Sequence, residues 1–262
     1  MIAVTNENCS NTTNSLDHFY KILNDNKALI HKTDYGYKVI SLVPDVKKIY
    51  IEVTTRCNFD CKTCIRKSWE EELGHMDIQV FQSLVNQLRD LPELNSVHFG
   101  GFGEPLSHPH IFEMIKSIKE LGLKAEMITN GSLLTEETAG KLVDLGLDTL
   151  FVSLDGPDKE TYNDIRQGAD FGNVIGNITR FNSIKCERQA ITPELGIVFV
   201  VMKNNYHKLP QLVKLTAELN ARQLLVTNIL PYNEELKDEI VYDLDDTRPL
   251  FGDNSALMMM RA

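Results

Sequence analysis

Three cysteines lie close together in this sequence, and they are the residues with the clearest chemistry. Cys57, Cys61 and Cys64 are separated by three and two intervening residues, whereas the remaining two cysteines, Cys9 and Cys186, lie far away. Thiolates at such short spacing repel one another and favour a bound cation, so the spacing predicts a metal site. A disulfide would leave one of the three cysteines over and would require an oxidising compartment.

Two kinds of metal centre fit three clustered thiolates. A structural zinc ion takes four ligands, so His75 or one of the distant cysteines would have to complete the site. An iron–sulfur cube held by only three thiolates keeps one iron open for another ligand. The local spacing does not choose between these two centres.

The order Cys-x3-Cys-x2-Cys resembles the signature of the radical S-adenosylmethionine (radical SAM) superfamily. This resemblance implies a 4Fe-4S cluster on Cys57, Cys61 and Cys64, with the amino and carboxylate groups of S-adenosylmethionine on the open iron. It also implies reductive cleavage of S-adenosylmethionine to a 5′-deoxyadenosyl radical that abstracts a substrate hydrogen atom. Thr63 departs from the family, in which the residue before the third cysteine is commonly aromatic.

A glycine-rich segment follows a predicted strand that ends at Phe99. Glycines permit unusual backbone angles and close approach of a ligand, and the segment also supplies a carboxylate that a cation could meet. It resembles the Gly-Gly-Glu-Pro element of the same family, which binds the methionine amino group, although Phe102 and Gly103 are inserted here. The resemblance implies cofactor contacts at Gly100, Gly101, Gly103, Glu104 and Pro105.

Small polar residues follow the next two predicted strands. Thr129, Asn130, Ser153 and Asp155 suit hydrogen bonding to a carboxylate or a ribose, although loop capping would also explain each of them. Arg166 ends a segment that resembles peptide-modifying members of the family, in which this Arg contacts the methionine carboxylate; the alternative is a surface Arg.

Two further positions are implied by the resemblance as adenine contacts. Val198 lies on the fifth predicted strand, for which an ordinary core strand is the alternative, and Asn228 ends the sixth.

Predicted strands and helices alternate along the chain and would position these residues. The strands are predicted at 49–54, 96–99, 124–128, 149–154, 195–202 and 223–228, and the helices at 77–91, 110–121, 135–145, 171–185 and 208–219. Asp77 and Thr135 are predicted N-caps. Such repeats predict a parallel sheet with site residues at the carboxyl ends of its strands. Periodicity leaves a doubly wound sheet and a barrel open, whereas the resemblance implies an α/β fold, a partial (β/α)6 TIM-like barrel.

We expect three regions in the chain. Residues 1–45 form a tail followed by an accessory helix from Leu16 to Ile30 and a strand from Val39 to Val43. Residues 46–232 form the radical SAM core. Residues 233–262 form an acidic, then apolar C-terminal tail, in a chain that is either naturally short or truncated.

Composition and charge limit the partners. The 262 residues are 42% hydrophobic and 24% charged, which is ordinary for a globular domain, and their net charge of -10 argues against a nucleic-acid partner. No apolar run is long enough to span a bilayer, and the N-terminus lacks the order of a signal peptide. These features predict a cytoplasmic protein, a compartment that suits reduced thiols.

Two longer sequence segments resemble a particular group of enzymes within this family. Cys-Lys-Thr-Cys-Ile-Arg-Lys-Ser-Trp and Gly-Phe-Gly-Glu-Pro-Leu-Ser-His-Pro resemble maturases that usually carry a C-terminal SPASM domain, including those linked with tungsten-cofactor oxidoreductases. This implies an enzyme that acts on a peptide, a protein or a small-molecule cofactor precursor, with ferredoxin or flavodoxin as electron donor. Only Cys186 follows Cys64, so no auxiliary cluster is expected.

A non-catalytic zinc-binding or interaction domain on the same scaffold is the competing hypothesis. Glu104, Ser153 and Arg166 favour catalysis, because a structural zinc site needs none of them.

Overall fold

The computed structural model describes residues 28–33, 36–41, 46–70 and 72–241, and the chain divides into two units, Met1–Val46 and Lys47–Ala262. In the first unit, β1 (Ala28–Thr33) and β2 (Gly36–Ser41) pair antiparallel. The helix predicted as far as Ile30 is therefore wrong over residues 28–30, because Ile30 pairs with Val39 of a second strand. Short apolar runs do not distinguish helix from strand. The rest of that predicted helix, and the end of the strand predicted at Val39–Val43, lie outside the described residues.

Strands and helices alternate through the described part of the second unit. The strands are β3 (Lys48–Ile51), β4 (Ser96–Phe99), β5 (Lys124–Thr129), β6 (Thr149–Ser153), β7 (Glu194–Val201) and β8 (Gln223–Asn228). The helices are α1 (Ile78–Leu88), α2 (Ile111–Glu120), α3 (Glu136–Asp144), α4 (Lys159–Ile165), α5 (Phe171–Glu187), α6 (Leu209–Glu218) and α7 (Glu234–Lys237). Short 3-10 helices cover Ile65–Ser68, Pro105–Ser107 and Tyr206–Lys208.

The strands from β3 to β8 form one parallel sheet in chain order, curled into a half-barrel. Because the strands from β3 to β8 all run parallel, their carboxyl ends meet at one edge of the sheet, where the loops of the candidate site lie. The predicted partial (β/α)6 TIM-like barrel is confirmed. The two predicted helix caps are confirmed as well: Asp77 accepts a hydrogen bond from the Gln79 amide, and Thr135 accepts one from the Thr138 amide.

One face of the sheet carries the hydrophobic core. Phe99 of β4 and Met127 of β5 are fully buried, and Phe81 of α1 packs against Phe99 with ring centroids 6.1 Å apart. Alternate residues of a strand point to opposite faces, so residues such as Ile128 and Ser153 lie on the other, concave side. The alternation thereby separates residues that hold the fold from residues that face the curl of the half-barrel.

The first strand of the half-barrel is shorter than predicted. β3 ends at Ile51 rather than at Thr54, because the chain there pairs with a returning segment: Thr54 bridges His75, and the Thr55 amide donates to the Gly74 carbonyl. This pairing closes the base of the loop that holds the three cysteines.

Two helices were not predicted. α4 lies within the segment that ends at Arg166 and is capped by Asp158, which accepts from the Thr161 amide. α7 lies in the predicted tail, where Leu236 is buried in a small cluster with Ile165, Met202 and Ile229. In the ranges that the structure describes, no helix is both long and apolar enough to cross a membrane.

Candidate functional site

The cysteine loop after β3 is held by its backbone. The amide of Asp60 donates to the Gln167 carbonyl at 2.9 Å, and the amide of Lys62 donates to the Ile165 carbonyl at 2.9 Å. The Tyr232 hydroxyl donates to the Lys62 carbonyl at 2.7 Å. The loop is therefore fixed against the end of α4 and against the segment after β8, so its sulfurs have a defined position.

Cys57, Cys61 and Cys64 are free thiols that line a cavity of about 260 Å³ at the carboxyl edge of the sheet. Burial raises the pKa of Cys57 and raises that of Cys61 to about 11. The site thus disfavours bare thiolates, and a bound cation would offset that cost.

Most of the residues predicted to bind S-adenosylmethionine line the same cavity as the cysteines. They are Gly101, Gly103, Glu104, Thr129, Asn130, Ser153, Arg166 and Asn228. These residues follow or end β4, β5, β6 and β8, or end α4, so only the curl of the half-barrel brings them together. Their contacts with a cofactor stay a prediction.

The glycine segment after β4 packs directly on the start of the cysteine loop. A Cβ atom on Gly103 would lie 2.0 Å from the Thr54 carbonyl oxygen, and the Glu104 amide donates to the Arg56 carbonyl at 2.8 Å. Gly101 has a φ of +131°, in the region that L side chains rarely adopt. The segment therefore needs glycine at these positions for its own packing, before any ligand is considered.

The Glu104 carboxylate joins the ends of β4 and β5. Its side chain is 1% exposed. One oxygen accepts from the Leu106 amide at 3.0 Å and the Thr129 hydroxyl at 2.7 Å, and the other accepts from the Asn130 amide at 2.7 Å. Burial raises the pKa of Glu104, although these hydrogen bonds lower it in part. Glu104 thus positions Thr129 and Asn130 as well as lining the cavity.

Asn130 connects the third strand of the half-barrel to the cysteine loop. Its side-chain amide donates to the Asn58 side-chain oxygen at 2.9 Å and lies 3.7 Å from the Cys57 sulfur. Its own oxygen accepts from the Ser132 amide at 2.9 Å. The donor is therefore oriented by a second hydrogen bond, and it faces a predicted metal ligand.

Arg166 is a buried cation in the cavity wall, and Asp155 holds it there. Its Nη2 lies 2.9 Å from the Asp155 carboxylate, which is fully buried and accepts from the Val200 amide at 2.9 Å. Burial lowers the pKa of Arg166 and the Asp155 carboxylate raises it, with a net rise, so the guanidinium stays charged. The buried Nε of Arg166 has no hydrogen-bond partner among the described residues. Arg166 is therefore buried, and the alternative prediction of a surface Arg is wrong.

Four predicted residues do not line the cavity, and each has another contact. Asp155 pairs with Arg166; Pro105 is buried at the start of a 3-10 helix; and Gly100 lies against the side chains of Ile128 and His98. Val198 is buried and pairs with Ser153 in the sheet, whereas Val200, two residues nearer the end of β7, lines the cavity.

Several lining residues were not among the predicted cofactor contacts. They are Phe59, Thr63, Arg66, Phe102, Ile128, Val200 and Leu230. The strand alternation that selects Val198 also selects Val200, so a count from the strand end could have found it. Arg66 lies two residues after Cys64, and no cofactor contact was predicted for it.

His75 does not join the cysteines. Its ring packs on His108 with centroids 5.1 Å apart, and it does not line the cavity. Within 46–70 and 72–241, no three His, Cys, Asp or Glu side chains lie close enough to hold a single metal ion.

Comparison with known proteins gives a family match. Residues 51–216 match the model of the Radical SAM superfamily. A tungsten-containing aldehyde ferredoxin oxidoreductase cofactor-modifying protein of Pyrococcus furiosus is 33% identical over 203 residues, which are 76% of this chain and 56% of that protein. A PqqA peptide cyclase of Bradyrhizobium diazoefficiens is 27% identical over 191 residues, which are 72% of this chain and 48% of that protein.

Among solved structures, SuiB of Streptococcus suis bound to S-adenosylmethionine has the same fold. It superposes with a TM-score of 0.66 at 19% identity, over 91% of this chain and 51% of that chain. The chain thus spans roughly half the length of these three relatives.

Proposed function

Because this chain belongs to the radical SAM superfamily, we propose that it is the catalytic core of a maturase that binds a 4Fe-4S cluster on Cys57, Cys61 and Cys64 and S-adenosylmethionine in the adjoining cavity. When bound, these cofactors supply a 5′-deoxyadenosyl radical that abstracts a hydrogen atom from the substrate. One observation carries the proposal: three free thiols and eight predicted cofactor contacts from separate loops line one cavity.

The residues that line the cavity suit both the 4Fe-4S cluster and S-adenosylmethionine. The three cysteines line one cavity, and Asn130 directs an amide donor at the Cys57 sulfur, which would stabilise a thiolate bound to a cluster. Arg166 would bind the methionine carboxylate, because its buried Nε is unpartnered and Asp155 fixes its orientation.

The remaining lining residues would position S-adenosylmethionine. Thr129 and Asn130, held by Glu104, and Ser153 at the end of β6 present polar groups at one side of the cavity. Ile128 and Val200 provide apolar walls that exclude water beside them. A radical reaction needs such a wall, because a loosely held radical would react at other bonds before it reaches the intended carbon–hydrogen bond.

The substrate class that fits best is a peptide, a protein or a cofactor precursor. The Pyrococcus relative is named for modifying a cofactor, and the Bradyrhizobium relative is named for cyclising a peptide. Ferredoxin or flavodoxin would supply the electron. The substrate class and the electron donor are both proposals, because the relatives are about twice as long as the matched region.

Anaerobic reconstitution with iron and sulfide tests the proposal. We expect one four-iron cluster per chain, with an electron paramagnetic resonance (EPR) spectrum of the reduced protein that changes when S-adenosylmethionine is added. Cys61→Ser should abolish that change, because it removes a buried ligand from the cavity wall. Cys186→Ser is the matched control, because Cys186 is an exposed thiol on α5 and outside this cavity.

Two results would contradict the proposal. One is a purified chain that holds zinc and accepts no cluster. The other is a cluster whose spectrum ignores S-adenosylmethionine, which would leave a metal-binding scaffold without the proposed chemistry.

A further inference from the structure

Arg66 lies across the cysteine loop and has no part in the function described above. It sits on the 3-10 helix that follows Cys64, and its two terminal nitrogens donate to carbonyls on either side of Cys57: Nη2 to Phe59 at 2.7 Å and Nη1 to Thr55 at 3.3 Å. The side chain also lines the cavity. One guanidinium thus joins both ends of the turn that carries the first cysteine.

The charge of Arg66 is not neutralised by a carboxylate. In contrast to Arg166, whose guanidinium pairs with Asp155, Arg66 forms no ion pair with any acidic side chain in the described ranges. Its Nε is buried and has no hydrogen-bond partner there.

Arg66 lines the same cavity as Cys57, Cys61 and Cys64, and its guanidinium donates to carbonyls on both sides of Cys57. The positive charge of Arg66 is therefore held beside the loop whose thiols would bind the cluster.

We propose that Arg66 is a positioning residue that sets the reduction potential of the cluster by placing an uncompensated positive charge beside its three thiolate ligands. The inference rests on the proposed function. Reduction adds one electron and hence one negative charge to the cluster, and a nearby fixed cation stabilises the more negative state. The partly buried position makes this effect larger than that of a solvated charge.

The neighbouring residue provides a matched control. Lys67 has the same charge and is one position further along the same 3-10 helix, but its ammonium lies 3.4 Å from the Asp60 carboxylate and 3.3 Å from the Gln167 side chain. Lys67 does not line the cysteine cavity. Its charge is already compensated, so its loss should affect the cluster far less.

The experiment is an anaerobic redox titration of the reconstituted chain without S-adenosylmethionine, monitored by EPR. Arg66→Gln removes the charge, Arg66→Lys keeps it, and Lys67→Gln is the control. At a fixed potential we expect Arg66→Gln to show about a tenfold lower ratio of reduced to oxidised cluster, which is about 59 mV for a one-electron couple. Arg66→Lys and Lys67→Gln should stay within about threefold of the unmodified chain on the same scale.

The outcomes separate the inference from the proposed function. Equal potentials in Arg66→Gln and the unmodified chain would overturn it, as would loss of the cluster from both Arg66 variants, which would make Arg66 a structural clamp only. A cluster that survives in Arg66→Gln and still responds to S-adenosylmethionine, but at a lower potential, supports both. If the unmodified chain builds no S-adenosylmethionine-responsive cluster, the proposed function fails first and the inference fails with it.

Discussion

Replacing Gly103 by alanine should destabilise the chain even before any cofactor binds. The added Cβ would lie 2.0 Å from the Thr54 carbonyl oxygen and 2.9 Å from the Arg56 carbonyl oxygen. Both neighbours are backbone atoms, so no side chain can turn away to relieve the contact. The Glu104 amide also donates to the Arg56 carbonyl, so separating the two segments would break that hydrogen bond.

The size of the effect follows from this geometry. Overpacking a well-packed site costs about 1–3 kcal/mol, and a rigid contact this short belongs at the upper end, at about 3 kcal/mol. For a chain of this length that corresponds to a fall in melting temperature of about 6–12 °C. Gly103 has no left-handed φ, so the cost comes from the close approach and not from backbone strain.

Urea unfolding of the apo chain measures the change. Far-UV circular dichroism follows the whole fold, and the fluorescence of Trp69, the single tryptophan, follows the cysteine loop, because Trp69 packs edge-on against Phe102 at 5.4 Å. Gly176→Ala is the control: Gly176 is an exposed residue of α5 whose added Cβ meets nothing within 4 Å. That substitution should stabilise the chain by about 0.5–1 kcal/mol.

The reasoning is refuted if Gly103→Ala unfolds within about 0.5 kcal/mol of the unmodified chain. It is also refuted if both glycine variants lose the same stability, because then the effect would not depend on the close approach to the cysteine loop.

Two further predictions concern buried charge. Arg166→Met should lower the free energy of unfolding by about 3–5 kcal/mol, because it leaves the Asp155 carboxylate buried and unpaired. In a double-mutant cycle, adding Asp155→Asn should restore part of that loss. Strictly additive effects of the two substitutions would contradict the coupling between the two side chains. Burial raises the pKa of Cys61 to about 11 from 9.0, so the unfolded thiol loses its proton first as the pH rises. The contribution of the Cys61 thiol to the free energy of unfolding should be fully present below about pH 9. It should fall by about 2–3 kcal/mol as the pH approaches about 11. Urea midpoints across that range, compared with Cys61→Ala, measure the fall, and parallel curves for the two chains would rule it out.

The fold was largely predictable because its signals are local. Helix caps at Asp77 and Thr135 and the short strand at residues 96–99 depend on neighbouring residues, and both caps are confirmed. The errors occur where partners distant in sequence decide the outcome. Ile30 pairs across a hairpin, and Thr54 leaves the first strand of the half-barrel for a bridge to His75.

The sequence by itself determined the family and the chemical types at the site. Cysteine spacing and the glycine segment depend only on order along the chain, so Cys57, Cys61, Cys64 and Glu104 could be identified without coordinates. Family membership is confirmed, whereas the cofactor contacts stay predictions.

Only the tertiary structure decided what these residues contact. Asp155 faces Arg166 instead of the cavity, Val200 replaces Val198 in the cavity wall, and Arg66 turns back onto the cysteine loop. The physical reason is that side-chain direction at a strand end depends on how the sheet curls and where each ladder stops. Those features come from packing between segments a hundred or more residues apart, such as Asp60 with Gln167, and no local pattern encodes them.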